Sequence, residues 1–233
     1  MKILFSSFLV FTTTLLQAQF FVQKLPQDQI SWADETYLIT NDGDTISGGR
    51  ISGITSGNFG ISKFTYKKGS EKMKFEIGVI QAIHIIPGET SQYQDIALLP
   101  IVKNLKNTEF IKVLPEDGLV IYERIALPGR NTRYALAQLL NPGFDSKIKV
   151  YAHPDASNDE NVTTVNGLMV DGGLDNQHYV SVGGAQTFVL GSFGYRKKSP
   201  ELLYSSCDVL KNDKKLRWRD FAKHVFTFDQ TCE

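Results

Sequence analysis

The chain has 233 residues, 42% hydrophobic and 21% charged, enough for one large core or two small ones. Its 25 basic and 25 acidic residues cancel, so no net field draws it to nucleic acid or to an anionic membrane surface. Gly-x-Ser-x-Gly, Gly-x-x-x-x-Gly-Lys-Ser/Thr, His-Glu-x-x-His and Gly-x-Gly-x-x-Gly are all missing, which counts against the hydrolases, nucleotide binders and metalloproteases that carry them.

The first residues set the expected compartment. Lys2 supplies a positive start, and Ile3 to Leu16 is largely apolar, broken by Ser6, Ser7 and Thr12 to Thr14. Leu16-Gln17-Ala18 places a small residue before a cut, so residues 1–18 read as a secretory signal peptide and Gln19 as the mature start. The apolar run is shorter than the ~20 residues of a membrane span, which disfavours an uncleaved anchor. No cysteine lies near the cut to take a lipid. Loss of Lys2 leaves 24 basic against 25 acidic residues, one net negative charge and no transmembrane segment.

Residues 19–35 form a polar-mixed lead-in in which Pro26 argues against a long helix and Trp32 is expected to pin the segment to the body. Tyr37 to Ile51 then reads as the organising β-hairpin. Two β-favouring runs flank Asn41-Asp42-Gly43-Asp44, residues that tolerate positive φ or bond their own backbone. Asp42 and Asp44 are explained by the turn rather than by a metal. Gly48-Gly49 in the second strand suggests a bulge or bend.

Phe64 to Lys67 and Met73 to Ile77 alternate apolar and polar around the turn Lys68-Gly69-Ser70-Glu71, a second hairpin. Val79 to Ile86 is a strand containing His84, read as a sheet histidine. A third hairpin is expected from Glu109–Leu114 and Leu119–Ile125 around Pro115 to Gly118. Tyr134 to Leu140 fits a strand or a short helix, and Lys147 to Tyr151 a short strand.

Between Tyr151 and Val180 stand Asp155, Asp159, Glu160, Asp171 and Asp175 with no Lys or Arg. A calcium-binding edge is one reading. The EF-hand spacing and its central glycine are missing, so a solvated acidic loop is preferred and no cofactor or metal is expected. Asn161-Val162-Thr163 matches a glycosylation sequon. The four histidines His84, His153, His178 and His224 are scattered, and each reads as structural. His178, beside the acidic stretch, is the one to name if a general base is required.

Thr164 to Val170, His178 to Val182 and Gln186 to Leu190 read as further strands, with Gly183-Gly184-Ala185 turning the last two. The pattern then changes. Ser199-Pro200-Glu201 places a cap before a proline at the first helical position. Leu202, Leu203, Val209 and Leu210 follow at helical spacing, and Arg219 to Phe226 is a second helix with Phe221 and Val225 four apart. Cys207 and Cys232 are the only cysteines, one in each helical segment. In an exported chain such a pair forms a disulfide, closing a loop worth roughly 3 kcal/mol in the chain-entropy model.

The body resembles a family of secreted β-rich proteins of Bacteroidota. Their first hairpin reads Tyr-x-Ile-Thr-x-x-Gly-Asp-Thr-Ile-x-Gly, matched by Tyr37 to Gly48, and the next is of the Lys-x-Gly-x-x-Lys-x-Phe type, matched by Lys67 to Phe75 with one residue more before the phenylalanine. Their end, a strand hairpin running into short helices with a cysteine and a last cysteine near the terminus, is matched by Tyr179 to Cys207 and Asp220 to Cys232. The signal ending Leu-Gln-Ala-Gln looks like those of the same phylum. Tyr134 to Thr164 is not covered. Where members often have Asp-Cys-Pro, this chain has Ser206-Cys207-Asp208. The resemblance implies a location and a shape, and it carries no catalytic residues over.

The expectation is a mainly β domain over 36–192, an antiparallel sandwich or open barrel built from serial hairpins, followed by a disulfide-stapled helical hairpin over 193–233. Its expected role is non-enzymatic binding of a protein or glycan partner in the periplasm or outside the cell. The alternative is an envelope hydrolase using the carboxylates of the 155–175 stretch, which Asp155, Asp159, Asp171 or Asp175 gathered around one pocket would favour.

Overall fold

The computed structural model describes residues 21–22, 24–25, 30–31, 33–57, 59–87, 119–129, 131, 133–154, 156, 162–165, 168–171 and 176–232. The fold is mainly β with a helical C-terminus, as expected. Seven strands form the first sheet: β1 (Ala33–Thr40), β2 (Thr45–Gly57), β3 (Gly60–Lys68), β4 (Glu71–Glu76), β5 (Ile80–Pro87), β6 (Val120–Ala126) and β7 (Tyr134–Gln138). Their order is β2-β1-β5-β6-β7-β3-β4, and β2 also pairs with β3. That pairing closes six strands into a ring, with β4 lying along β3 beyond its bridge to β7 at Ile61 and Leu136.

The organising hairpin forms where the sequence places it. Gly43 takes φ 87°, the Thr40 N–H donates to the Asp44 carbonyl at 2.9 Å, and the Asp44 N–H donates to Thr40 Oγ1 at 3.2 Å. Asp42 and Asp44 are exposed turn residues. The bulge is also there: Thr36 faces Gly49 while Leu38 faces Ile46, so β2 carries one residue more than β1 and Gly48 absorbs it at φ 77°. Bulges raise local twist, which helps a sheet curl until its edges meet.

Alternation fills the ring. Leu38, Ile51, Phe64, Tyr66, Ile83, Ile85, Val120, Tyr122 and Leu136 form one buried cluster. The lead-in joins it through Leu25 and Ile30, and the Leu25 N–H donates to Gln138 Oε1 at 2.7 Å. The segment is therefore held by Leu25 and Ile30, and by Phe21 in a neighbouring cluster. Trp32 lies outside the described residues.

Gly49 is the tightest point. A Cβ there would sit 2.6 Å from both the Lys67 carbonyl and the Tyr66 ring, whose hydroxyl donates to the Thr36 carbonyl at 3.3 Å. Gly49→Ala is expected to cost about 1–3 kcal/mol in a urea melt, because neither backbone nor a wholly buried ring can yield. Gly57→Ala, which meets nothing within 4 Å, is the matched control.

A second sheet holds β8 (Ile148–Ala152), β11 (Gln177–Val182) and β12 (Phe188–Gly191), in the order β12-β11-β8. It is buried on both faces. Tyr151 and Tyr179 point to the outside of the ring, against Ile125, Ala135 and Ala137 of β6 and β7. Ile148, Val150 and Val180 point the other way, into the helical layer. A two-residue slip would keep this pattern but a one-residue slip would invert it, so the register is strongly specified. At the seam, Lys149 reaches Glu123 of β6 at 2.8 Å and Asp145 at 3.4 Å, and the Tyr151 hydroxyl donates to Glu123 at 2.7 Å. Burial holds the Asp145 carboxyl above its usual range despite Lys149. Burial pulls the Lys149 ammonium down, but its bond to Glu123 outweighs this and its pKa is raised.

The helical layer comprises α1 (Tyr195–Leu202), α2 (Asp208–Lys211) and α3 (Phe221–Thr231), three helices where the sequence suggested two. Helix α1 begins at Tyr195, four residues before the expected cap, and Pro200 lies inside its last turn. The Ser199 hydroxyl donates back to the Tyr195 carbonyl, so it serves as a helix residue rather than a cap. Of the four aliphatic residues placed on one face, Leu203 and Leu210 are buried while Leu202 and Val209 are exposed. Phe221 and Val225 share the core as expected. Lys147 caps α3, donating to the Phe228, Asp229 and Cys232 carbonyls.

Three further points belong to the middle of the chain. Tyr134 to Leu140 resolves to strand β7. The strand read over Thr164 to Val170 is two strands, β9 (Val162–Val165) and β10 (Leu168–Asp171), paired Val165 to Leu168. Asn166-Gly167 between them is a strong hairpin signal that a single-strand reading overlooks. Finally, β6 pairs with β5 and β7, and the other half of the expected third hairpin, Glu109–Leu114, lies outside the described residues.

Candidate functional site: a cationic ladder beside the β2 bulge

The outer face of β2, β3 and β4 breaks a rule of sheet construction. Arg50 stands opposite Lys67, and Lys67 stands opposite Lys72. Directly opposed side chains in antiparallel pairs have Cβ atoms ~4.5–5.5 Å apart, where like charges repel and destabilise. Arg50 and Lys72 are exposed and Lys67 is half-buried, with no ion pair to any of the three among the described residues. Lys74 lies further along the same face of β4, while Lys63 is balanced by Glu76 at 2.9 Å. Residues 45–76 hold six basic side chains against two acidic ones, a local +4 in a chain that is neutral overall.

Where this ladder meets the bulge there is a cavity of about 480 Å³, lined by Glu35, Gly48, Gly49, Arg50, Lys67 and Gly69. Three of its lining residues, Gly48, Gly49 and Gly69, bring only backbone to it. Glu35 provides the one carboxylate, hydrogen-bonded to Tyr37, whose phenol is held above its ordinary pKa by that bond. Chemically the site offers two cations, one acceptor carboxylate and main-chain amides. Among the described residues it offers no thiol, histidine or nucleophile–base pair.

If Lys67 is kept for a ligand, the fold gains nothing from it. Lys67→Thr is therefore expected to leave stability unchanged or raise it by up to ~1 kcal/mol, by removing two like-charge contacts and adding a better strand former. Chemical denaturation measures this, and a lowered midpoint would show Lys67 to be structural.

The described cysteines and histidines singled out from the sequence lie elsewhere. Cys207 and Cys232 are bridged, with Cα atoms 5.3 Å apart. Asp155, Asp159, Glu160 and Asp175 lie outside the described residues, and Asp171 is placed only as backbone in β10. Neither cysteine lines the cavity. His178 is 5% exposed and packed among Phe21, Trp218 and Phe221. Burial, with His153 and Lys24 nearby, drives its pKa down to about 3, so it is a neutral core residue rather than an accessible base. His224 is buried against the Tyr195 hydroxyl at 2.8 Å, with Tyr204 beyond it at 2.9 Å, a closed network. His153 packs on Tyr179, and His84 is half-buried on β5 opposite Ile121, its pKa lowered by burial.

A second surface set lies where β7 meets the β2–β3 turn. The Arg133 guanidinium covers Phe59 at 4.5 Å and that of Arg124 covers Tyr134 at 4.9 Å, with both rings partly exposed. Each guanidinium already has its ring, and Arg124 also donates to the Gly78 carbonyl, so this set holds less unspent charge than the ladder.

The ladder was within reach of the sequence. Its signal is the density of lysine from Lys63 to Lys74 combined with the register that the turn at Lys68 to Glu71 imposes. No protein-family model, no curated protein and no solved structure matches the chain. Among the described residues no group of three or more His, Cys, Asp or Glu could hold a metal, and no helix is long and apolar enough to cross a membrane.

Proposed function

We propose that this is an exported envelope protein that binds a partner, protein or glycan, and performs no chemistry on it. The cationic ladder beside an open cavity partly lined by glycine carries the reading: its charges are set against one another with no ion pair among the described residues, and the described lining offers a lone carboxylate, Glu35, without a nucleophile–base pair. A buried disulfide supports export, since such bonds persist in oxidising compartments. The hydrolase alternative rests on the 155–175 carboxylates, of which only the Asp171 backbone is described.

Export is tested by the mass of the protein recovered from the periplasm or medium. A mature chain beginning at Gln19 is expected, and intact Met1 in a membrane fraction would contradict it. Binding is tested by passing separated envelope polysaccharide and envelope protein fractions over the immobilised mature chain. Retention that Arg50→Glu abolishes is expected. Equal retention by that variant would move the site elsewhere.

A further inference from the structure

We infer that the ligand of the β2–β3–β4 face is an acidic polysaccharide, one carrying carboxylates and free hydroxyls together. This rests on the binding reading above and names its ligand class. Three observations lead to it. First, Arg50, Lys67 and Lys72 form a row across neighbouring strands, which lie ~4.8 Å apart, so the row spans about 10 Å. A row suits an extended chain with repeated negative charges better than a single anion, which one guanidinium would hold. Second, the row runs into a cavity containing Glu35. A carboxylate there repels a dense polyanion but accepts hydrogen bonds from sugar hydroxyls, and the cations beside it take the acid groups. Nucleic acid and polyacidic peptide offer charge without that hydroxyl pattern. Third, Gly48, Gly49 and Gly69 bring only main-chain groups to the cavity lining, and a Cβ at Gly69 would meet nothing within 4 Å, so a sugar ring can come close to the backbone there. Among the described residues no large exposed apolar side chain lines the cavity, as insertion into a bilayer would need.

The experiment is affinity electrophoresis of the mature protein through gels holding polygalacturonate, the same polymer with its carboxyls reduced, polyglutamate, or duplex DNA. Vesicles rich in phosphatidylglycerol are tested by co-sedimentation. Retardation by polygalacturonate is expected, with at least tenfold weaker retention by the carboxyl-reduced polymer, by polyglutamate and by DNA, and no sedimentation with vesicles. Arg50→Gln and Lys67→Gln should each weaken binding about tenfold, the range of a charge-assisted hydrogen bond, while melting no lower than the parent. Glu35→Gln should raise retention by polyglutamate more than by polygalacturonate.

Equal retention by the reduced polymer, or polyglutamate, DNA or vesicles binding as tightly as polygalacturonate, would overturn the assignment while leaving a binding role in place. So would folded Arg50→Gln and Lys67→Gln variants that bind polygalacturonate undiminished. Failure of polygalacturonate together with capture of an envelope protein that Arg50→Glu releases would overturn it in favour of a protein partner. If no polymer binds and no envelope fraction is retained, the binding reading falls as well.

Discussion

Replacing Cys207 by serine is expected to cost about 2–5 kcal/mol, with the damage confined to the helical layer. The bridge joins the residue that opens α2 to the residue that closes α3, across 25 positions. Helix α2 is a single turn and α1 spans eight residues, far below the ~12 at which isolated helices become marginal. They persist because Leu203, Tyr204 and Leu210 dock into the cluster built on Ile148, Val150 and Val180, and the bridge holds that docking together. Helix α3 keeps other ties, since Ser146 donates to Asp229 and Lys147 caps its carbonyls. Hydrogen exchange should therefore accelerate over 203–216, less over 221–229, and not at all in β1 to β7, whose core shares no residue with that cluster. Uniform acceleration would show that the two layers unfold as one.

Acidification from pH 7 to pH 5 is expected to remove about 2 kcal/mol through His178 alone. Its pKa is depressed in the folded protein, from the ordinary 6.5 to about 3, by burial first and by His153 and Lys24 second. A depressed histidine contributes stability that is fully present above pH 6.5 and lost as pH falls towards 3, because the unfolded chain takes up the proton and the folded one does not. Full loss corresponds to about 4–5 kcal/mol. No described group offers relief: Nδ1 has no hydrogen-bond partner among the described residues, and the facing side chains are Phe21, Trp218 and Phe221. His84 and His224, also depressed by burial, act in the same direction, and the raised carboxyl of Asp145 acts in the opposite one. His178→Phe separates the contributions. Its stability should fall by about 2 kcal/mol less than the parent's between pH 7 and pH 5. Identical slopes would mean that His178 is protonated in the folded state.

Much of the β architecture was legible because it is local. The turn at Asn41 to Asp44, the bulge at Gly48, the hairpin around Gly69 and the strand pair around Gly183-Gly184 each turn on a positive-φ position that glycine adopts and other residues rarely do. Closure of the ring was not legible. It depends on one bridge between Ile61 and Leu136, far apart in sequence, and on Gly60, where a Cβ would meet the Leu136 carbonyl at 2.8 Å. The helical layer was misplaced at its start because Ser199-Pro200 is an attractive cap signal. Here Pro200 lies in the last turn, where tertiary packing of Tyr195 and Ser199 has outweighed local preference. The candidate site was missed for a related reason. Lysines read singly look like solvated surface, and only the cross-strand register shows that Arg50, Lys67 and Lys72 confront one another.

The central claim, that this face binds and the protein does not cut, is tested most directly by one mixing measurement. Purified mature protein is incubated with the acidic polysaccharide fraction of the envelope, and the mixture is resolved by size-exclusion chromatography before and after dissociation in high salt. The expected result is co-elution at low salt, release at high salt because the exposed cations are screened, and a polymer whose length distribution is unchanged. Separate elution at low salt, or a polymer recovered in shorter pieces, would contradict it.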